Sequence, residues 1–388
     1  MMKIQLKMQN PIFKQRVITI ILSILLILLG LGSYYILRSG IHNIFMYESP
    51  YTFRISPENE SQKLAKHLVI VFIDGLCPKD LEFMPTARDI ASRGFAIELE
   101  GNKGLAPIPF ATALMTGAAP EISGIVTNWH NKEVAIDNLW LSAKRAGLNT
   151  TIVGDKKWEH LFGHLITNSI YHSNLDTRPI FDINDLILKD AISEINKKGF
   201  HLMFINFYSE WDFSSFPTDF LGKKITREET SLSVDIKLKD ILEVIDLSST
   251  AFLFVSNGLD LTGGIPFQSD KKIDNAFLIG AGAGIASSEN PSGDINWIQS
   301  NLLDVAPTCA SLLGISIPTH SQGEIIFSAL DINDYLRSEI AIRQAEIKEE
   351  FLKEYDLCYT DSEVLKKVRP MTLEGFVVRI SDIIGYIG

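Results

Sequence analysis

Residues 68–76 read LVIVFIDGL, and the fold follows from this stretch. Leu68 to Ile73 is a continuous apolar run, with none of the polar alternation of a half-exposed strand. A strand buried on both faces reads this way, and such strands belong to parallel sheets covered by helices above and below. The same texture recurs outward from it. Leu202 to Phe207 (LMFINF) and Ala251 to Val255 (AFLFV) are two more buried-strand runs, and Ala276 to Ile279 is a shorter one. Phe95 to Glu100 and Thr150 to Val153 also read as strands. Between them lie segments of helical periodicity: Pro85 to Gly94, Asp137 to Ala146, Ile183 to Ile195, Ser231 to Ile245, and Ile298 to Leu313 stopping at Gly314. The alternation predicts an α/β, doubly wound, largely parallel sheet with helices on both faces. A charged helix is expected from Asn333 to about Tyr355 as a solvated element on the sheet's edge.

The amino-terminal part is different. Val17 to Leu37 (VITIILSILLILLGLGSYYIL) carries no charge and, as a helix, spans about 30 Å, the thickness of a bilayer core. Lys3, Lys7, Lys14 and Arg16 precede it, which places the amino terminus in the cytoplasm and the remainder outside, in a periplasm or at the cell exterior. A cleaved signal peptide is the competing reading. Its apolar region would be shorter and followed by small residues, whereas Tyr34-Tyr35-Ile36-Leu37 stands at that place, so an uncleaved transmembrane helix is expected. The expected organisation is a basic tail (1–16), an anchor (17–37), a stalk (38–66), a globular domain (67–331) and a helical extension (332–388). Phe376 to Ile387 includes Arg379 and Asp382 and reads as a packed terminal segment.

Net charge is −11, unevenly placed. Residues 1–38 hold five basic and no acidic residues, leaving 31 basic against 47 acidic residues in 39–388, near −16. So acidic a domain offers no footprint for nucleic acid and is repelled by anionic headgroups. Cys77, Cys309 and Cys358 are three and widely spaced, which leaves room for one disulfide at most, argues against a disulfide framework and offers no C-x-x-C zinc site.

An acid just past a buried strand, as Asp74 is, lies where sites form in doubly wound sheets; as a turn or cap residue it has a bland explanation too. Residues 105–129, LAPIPFATALMTGAAPEISGIVTNW, extend the pattern. With VIVFIDGL at 69–76 they resemble the type I phosphodiesterase/nucleotide pyrophosphatase branch of the alkaline-phosphatase superfamily, through Thr116-Gly117, Pro120, Ser123-Gly124-Ile125 and Asn128. Phe204 to Phe207 leading to Asp212, then Val234-Asp235, are similar to later segments of that family. So are Leu303-Asp-Val-Ala-Pro-Thr308, Leu312 to Ile315 and Pro318, and the likeness covers residues 67–325.

The resemblance implies a two-zinc site in which one metal orients a Thr or Ser nucleophile and both stabilise phosphoryl oxygens. Carried over position by position, it finds Asp74 and Asp212 as surviving carboxylates, expected to face one cleft from neighbouring strands. The nucleophile's position holds Pro107, a ligand histidine's holds Phe216, and Asn257-Gly258 stand where an acid and a histidine belong. Ile265 occupies a further ligand place in Gly263-Gly264-Ile265. One carboxylate per metal is too few for zinc, so no metal or other cofactor is expected, and Asp74, Asp212 and Asn257 are read as binding residues.

Other residues have weaker claims. His160 and His164 have zinc-pair spacing but read as a surface or packed pair, and Thr112 as a substitute nucleophile falls outside the family register. Asp260 and Asp270 read as solvated acids, and Trp129, Trp158 and Trp211 as core or cleft residues. Asn59-Glu-Ser61 is a glycosylation triplet only in a eukaryotic secretory host. Three functions remain: an inactive superfamily member binding a phosphate-bearing or glycan ligand or a protein partner, an active hydrolase with rebuilt metal ligands, or a structural envelope subunit.

Overall fold

A computed structural model describes residues 11–45, 49, 51, 61–100, 105, 107–128, 130, 132–173, 180–208, 226–258, 276–287 and 295–360. The chain divides into two compact units, one built on the amino-terminal helix and one spanning Ser49–Val368. The amino-terminal helix, α1, runs Pro11–Phe45, past both ends of the uncharged run. Within it, Gln15–Gly40 contains an 18-residue window of mean hydropathy 2.5 with no buried residue, so by length and composition it suffices to cross a bilayer.

The second unit follows the expected alternation. Its strands are β1 His67–Ile73, β2 Phe95–Glu100, β3 Thr150–Asp155, β4 Asn168–His172, β5 Leu202–Asn206, β6 Thr250–Ser256, β7 Ala276–Gly282 and β8 Trp297–Asn301. Its helices are α2 Pro85–Arg93, α3 Pro107–Thr116, α4 Pro120–Ser123, α5 Leu139–Arg145, α6 Lys157–Phe162, α7 Ile180–Lys197, α8 Arg227–Val244, α9 Val305–Leu313 and α10 Asp334–Thr360. They surround one eight-stranded sheet of order β4-β3-β5-β1-β6-β7-β2-β8. Strand β1 lies central, parallel to β5 on one side and β6 on the other. The sheet is mostly parallel, with β7 antiparallel to both β6 and β2.

The uninterrupted apolar run of β1 has a direct cause. Successive side chains of a strand point to opposite faces. Leu68, Ile70 and Phe72 therefore enter one core, beneath α3, α5, α6 and α9, while Val69, Val71 and Ile73 enter the other, beneath α2, α7 and α8. A polar residue at any of these positions would forfeit about 1.5–3 kcal/mol of burial. Packing is close where α2 ends: a Cβ on Gly94 would stand 1.9 Å from the Gly280 carbonyl oxygen, so only glycine fits.

Two expectations are corrected. Ile298 to Leu313 is not one helix: Trp297–Asn301 pairs in parallel with β2, and α9 begins only at Val305. The break is made by caps. Asp304 Oδ2 accepts from Ser300 Oγ and Asn301 N–H, and Asn301 Oδ1 accepts from Leu303 N–H, so the backbone turns before the helix starts. The late charged helix, α10, is not simply a solvated element. It buries Leu336, Ile340 and Phe351, and Gln344 donates to Gly323 O and accepts from Ile325 N–H. Lys348 pairs with Glu324. The helix thus docks on the loop after α9, because its buried residues match the apolar Ile325 and Ile326 there.

At the opposite end of the strands from Asp74, β1 and β5 begin beside a histidine pair. His67 Nδ1 donates to Phe200 O at 2.7 Å, and His201 Nδ1 accepts from Asn149 N–H at 3.1 Å; the ring centroids are 6.0 Å apart. Burial, seconded by Lys63 and Lys66 around them, holds both below the ordinary histidine range, with the hydrogen bond to Phe200 O, and after it Asp246, opposing at His67. A base whose folded pKa is depressed contributes stability above its unfolded pKa and loses it on acidification. The melting temperature should therefore decline as pH falls below about 6.5, and His201→Gln should reduce that decline. A pH-independent melt, or one unaltered by the substitution, would contradict this assignment.

Candidate functional site

Strands β3, β5, β1 and β6 are adjacent and parallel, so their carboxyl ends form one rim. Asp74 lies on it, immediately after β1 and 9% exposed. The chain then turns at Gly75, whose φ of 90° suits glycine. Three successive backbone N–H groups of this turn are held by side chains. Gly75 N–H donates to Asn257 Oδ1 at 2.9 Å, Leu76 N–H to Ser256 Oγ at 3.0 Å, and Cys77 N–H to Asp80 Oδ2 at 2.7 Å. Asp80, 1% exposed, is in turn gripped in two places by the Arg227 guanidinium, which also donates to Cys77 Sγ at 2.9 Å. The end of β6 and the start of α8 thereby fix the shape of the Asp74 turn.

The start of α3 supplies another part of the site. Pro107 is its first residue, a position that suits proline because no N–H is needed there. Ile108 N–H donates to Asn128 Oδ1 at 2.9 Å, and Pro109 again has no N–H. On the β5 side, Asn206 Oδ1 accepts from Trp158 Nε1 at 2.9 Å and its Nδ2 donates to Phe207 O at 3.0 Å.

Strand β5, which leads toward Asp212, neighbours β1; Asp212 itself lies outside the described residues, as do Phe216, Asp260, Gly263 to Ile265, Asp270, Trp129 and Trp211. The described rim brings together Asp74, Ser256 and Asn257. Among the described residues no three His, Cys, Asp or Glu side chains converge to hold a metal. Zinc takes three or four N, O or S ligands. Of the described positions that the resemblance assigns, Asp74 is a carboxylate, Pro107 has no donor atom, Asn257 turns its oxygen to Gly75, and Gly258 has no side chain. These residues do not fit a zinc pair.

Other sequence candidates have structural places. His164 ends 3.5 Å from Glu133, half-exposed, and His160 is exposed. Thr112 is wholly buried within α3, and Trp158 packs against Phe162 and Phe204 in the core. Asp235 accepts from Thr86 and Ala87 N–H and so caps α2. In the late signature, Thr308 Oγ1 donates to Asp304 O and accepts from Ile326 N–H, while Asp304 Oδ1 accepts from Glu324 N–H. Both motifs hold the fold together around the site. Sequence reasoning missed the Asp80–Arg227 pair, whose partners are 147 residues apart with no local signal joining them.

No protein-family model matches the chain. It is similar to GPI ethanolamine phosphate transferase 2, catalytic subunit, of Homo sapiens, 24% identical over 288 residues that make up 69% of this chain and 28% of that protein. It is also similar to GPI ethanolamine phosphate transferase 3 of Schizosaccharomyces pombe, 21% identical over 255 residues, 64% and 27% of the two. The chain spans about a quarter of the length of these curated relatives. Among solved structures, a 2-O GAG sulfatase matches with a TM-score of 0.54 at 13% identity, covering 68% of this chain and 73% of that one. A protein in the alkaline phosphatase superfamily from Vibrio parahaemolyticus matches with a TM-score of 0.50 at 13% identity, covering 76% and 79%. The fold is thus of the phosphoesterase and sulfatase type. It is the alkaline-phosphatase-like fold that the sequence resemblance implies.

Proposed function

We propose that this chain is a membrane-anchored pseudoenzyme of the superfamily, which keeps the fold and binds a phosphate-bearing or glycan ligand, or an envelope partner, without turning over an ester. The observation that carries this reading is Pro107 at the start of α3, where the resemblance puts the nucleophile. A pyrrolidine ring forms no covalent phosphoryl intermediate. Asn257, braced against Gly75, adds a neutral amide where a metal would need charge. The ligand class is suggested by the names of the relatives, transferases of ethanolamine phosphate in GPI and a GAG sulfatase.

Metal analysis of the purified protein, paired with a p-nitrophenyl phosphodiester assay under added zinc and manganese, tests the reading. The expected result is neither stoichiometric zinc nor hydrolysis, with Asp74→Asn still folded. Metal held near two equivalents, or turnover abolished by Asp74→Asn, would instead favour a hydrolase in which Asp260 or Asp270 rebuilds the ligand set beside Asp74 and Asp212.

The anchor is assigned to α1 with the domain on the extracytoplasmic side, supported by the basic residues before the apolar run. A reporter fused after Gly388 should be active only in an extracytoplasmic format. Activity of a cytoplasmic reporter at that position would reverse the orientation.

A further inference from the structure

We propose that the end of the second unit at which β1 and β5 begin is a docking surface for an anionic phospholipid bilayer, held by Lys63, Lys66 and Lys198 and strengthened on acidification through His67. This rests on the membrane anchor assigned to α1 and adds an electrostatic contact to it. Three segments meet at this end. Residues 63–67 lead into β1 and residues 198–201 into β5, and Ser249 O accepts from the N–H groups of Lys66 and His67, which brings the turn 246–249 beside them. Lys63, Lys66 and Lys198 are exposed, and among the described residues none of them forms an ion pair. Lys198 is fixed by a φ of 54° just past α7, whereas its neighbour Lys197 is paired with Glu194. The acid that acts on His67, Asp246, is committed to its own turn: Oδ1 accepts from Ser248 N–H and O–H, and Oδ2 from Ser249 O–H.

Unpaired ammonium groups on one face fit lipid phosphates, and each strengthens binding to an anionic surface by about fivefold. The net acidity of the unit does not prevent this. Charges beyond a Debye length, about 8 Å at physiological ionic strength, are largely screened, so a bilayer responds to the face it meets. Lys63 follows the last residue of α1 by eighteen positions, so docking is intramolecular and a weak surface suffices. His67 supplies the pH dependence. Its Nδ1 donates to Phe200 O, so Nε2 takes a second proton without loss of that bond. His201, with its ring centroid 6.0 Å away, accepts from Asn149 N–H at Nδ1 and gives that bond up if it charges. Burial opposes the proton on His67, as do Lys66 and Lys63, while Phe200 O and Asp246 favour it. Lipid phosphates beside the lysines offset that opposition, so proton uptake and docking reinforce each other.

Hydroxyl-radical footprinting of the full chain in nanodiscs of phosphatidylglycerol or of phosphatidylcholine tests this, with Tyr335, 79% exposed, as internal reference. Incorporation into the discs is read first and reports on the anchor separately. In phosphatidylglycerol at about pH 5.5, below the ordinary histidine pKa, oxidation of His67 and His201 relative to Tyr335 should fall about threefold or more against phosphatidylcholine. At about pH 7.5 the fall should be smaller, and high salt should abolish it at either pH. Lys63→Glu with Lys66→Glu should remove the protection and leave the melting temperature near that of the parent. His67→Gln should remove the pH dependence, read at His201. Equal oxidation in the two lipids at both pH values, or protection that survives the charge reversal, overturns the inference.

Discussion

Arg227→Ala is expected to destabilise the domain by about 3–5 kcal/mol, because it strands a buried charge. Asp80 is 1% exposed, and its carboxylate is held by the Arg227 guanidinium and by Cys77 N–H. Without the guanidinium, the carboxylate must either stay charged out of water or take up a proton, and both are costly. Arg227 also begins α8, and Asp80 lies in the turn after Asp74, so the loss should loosen the rim as well as the fold. A thermal melt of the detergent-solubilised protein reads the stability. Replacing both partners, as Asp80→Leu with Arg227→Met, should recover much of the loss, since an apolar pair leaves no stranded charge. A near-normal melt for Arg227→Ala alone would show that the pair is not what holds this turn.

Phe204→Ala should cost about 3–5 kcal/mol by leaving a cavity at the centre of the sheet. Phe204 is fully buried in β5, its ring 5.2 Å from Trp158, 6.2 Å from Trp140 and 6.0 Å from Phe72 between centroids. Two of these contacts are edge-on and one is stacked, geometries that aromatic rings favour. The truncation removes a shared partner from both tryptophans, so their fluorescence should change along with the melting temperature. Trp158 also donates to Asn206 on the rim, which couples this core position to the site. A melt within about 1 kcal/mol of the parent would mean that the core collapses to fill the space.

The sheet was legible from residues 68–76 outward because burial on both faces leaves a strand no room for polar side chains, a constraint that acts at every position and needs no distant information. Helix ends were legible where their signals are local, as at Gly314, whose φ of 65° closes α9. Strand β4 and the start of β8 were not. Both are edge strands, where one side of the ladder and much of the side-chain surface face solvent, so their residues carry little apolar signature. Helix α10 was legible as a helix but its docking place was not, since Gln344 and Phe351 find partners in residues 320–325 that nothing in their own neighbourhood specifies.

The same division holds at the site. The sequence by itself determined that a proline stands at position 107, that Asp74 follows a buried strand, that Asn257-Gly258 follows another, and that Val17 to Leu37 is uncharged. These are matters of residue chemistry and short spacing. Only the tertiary structure decided what Asn257, Ser256 and Asp80 do with their oxygens, because Gly75 and Asn257 are 182 residues apart and meet only when β1 and β6 pair. Hydrogen bonds between distant segments depend on strand order and register, which are set by the packing of both cores and leave no local trace in the chain.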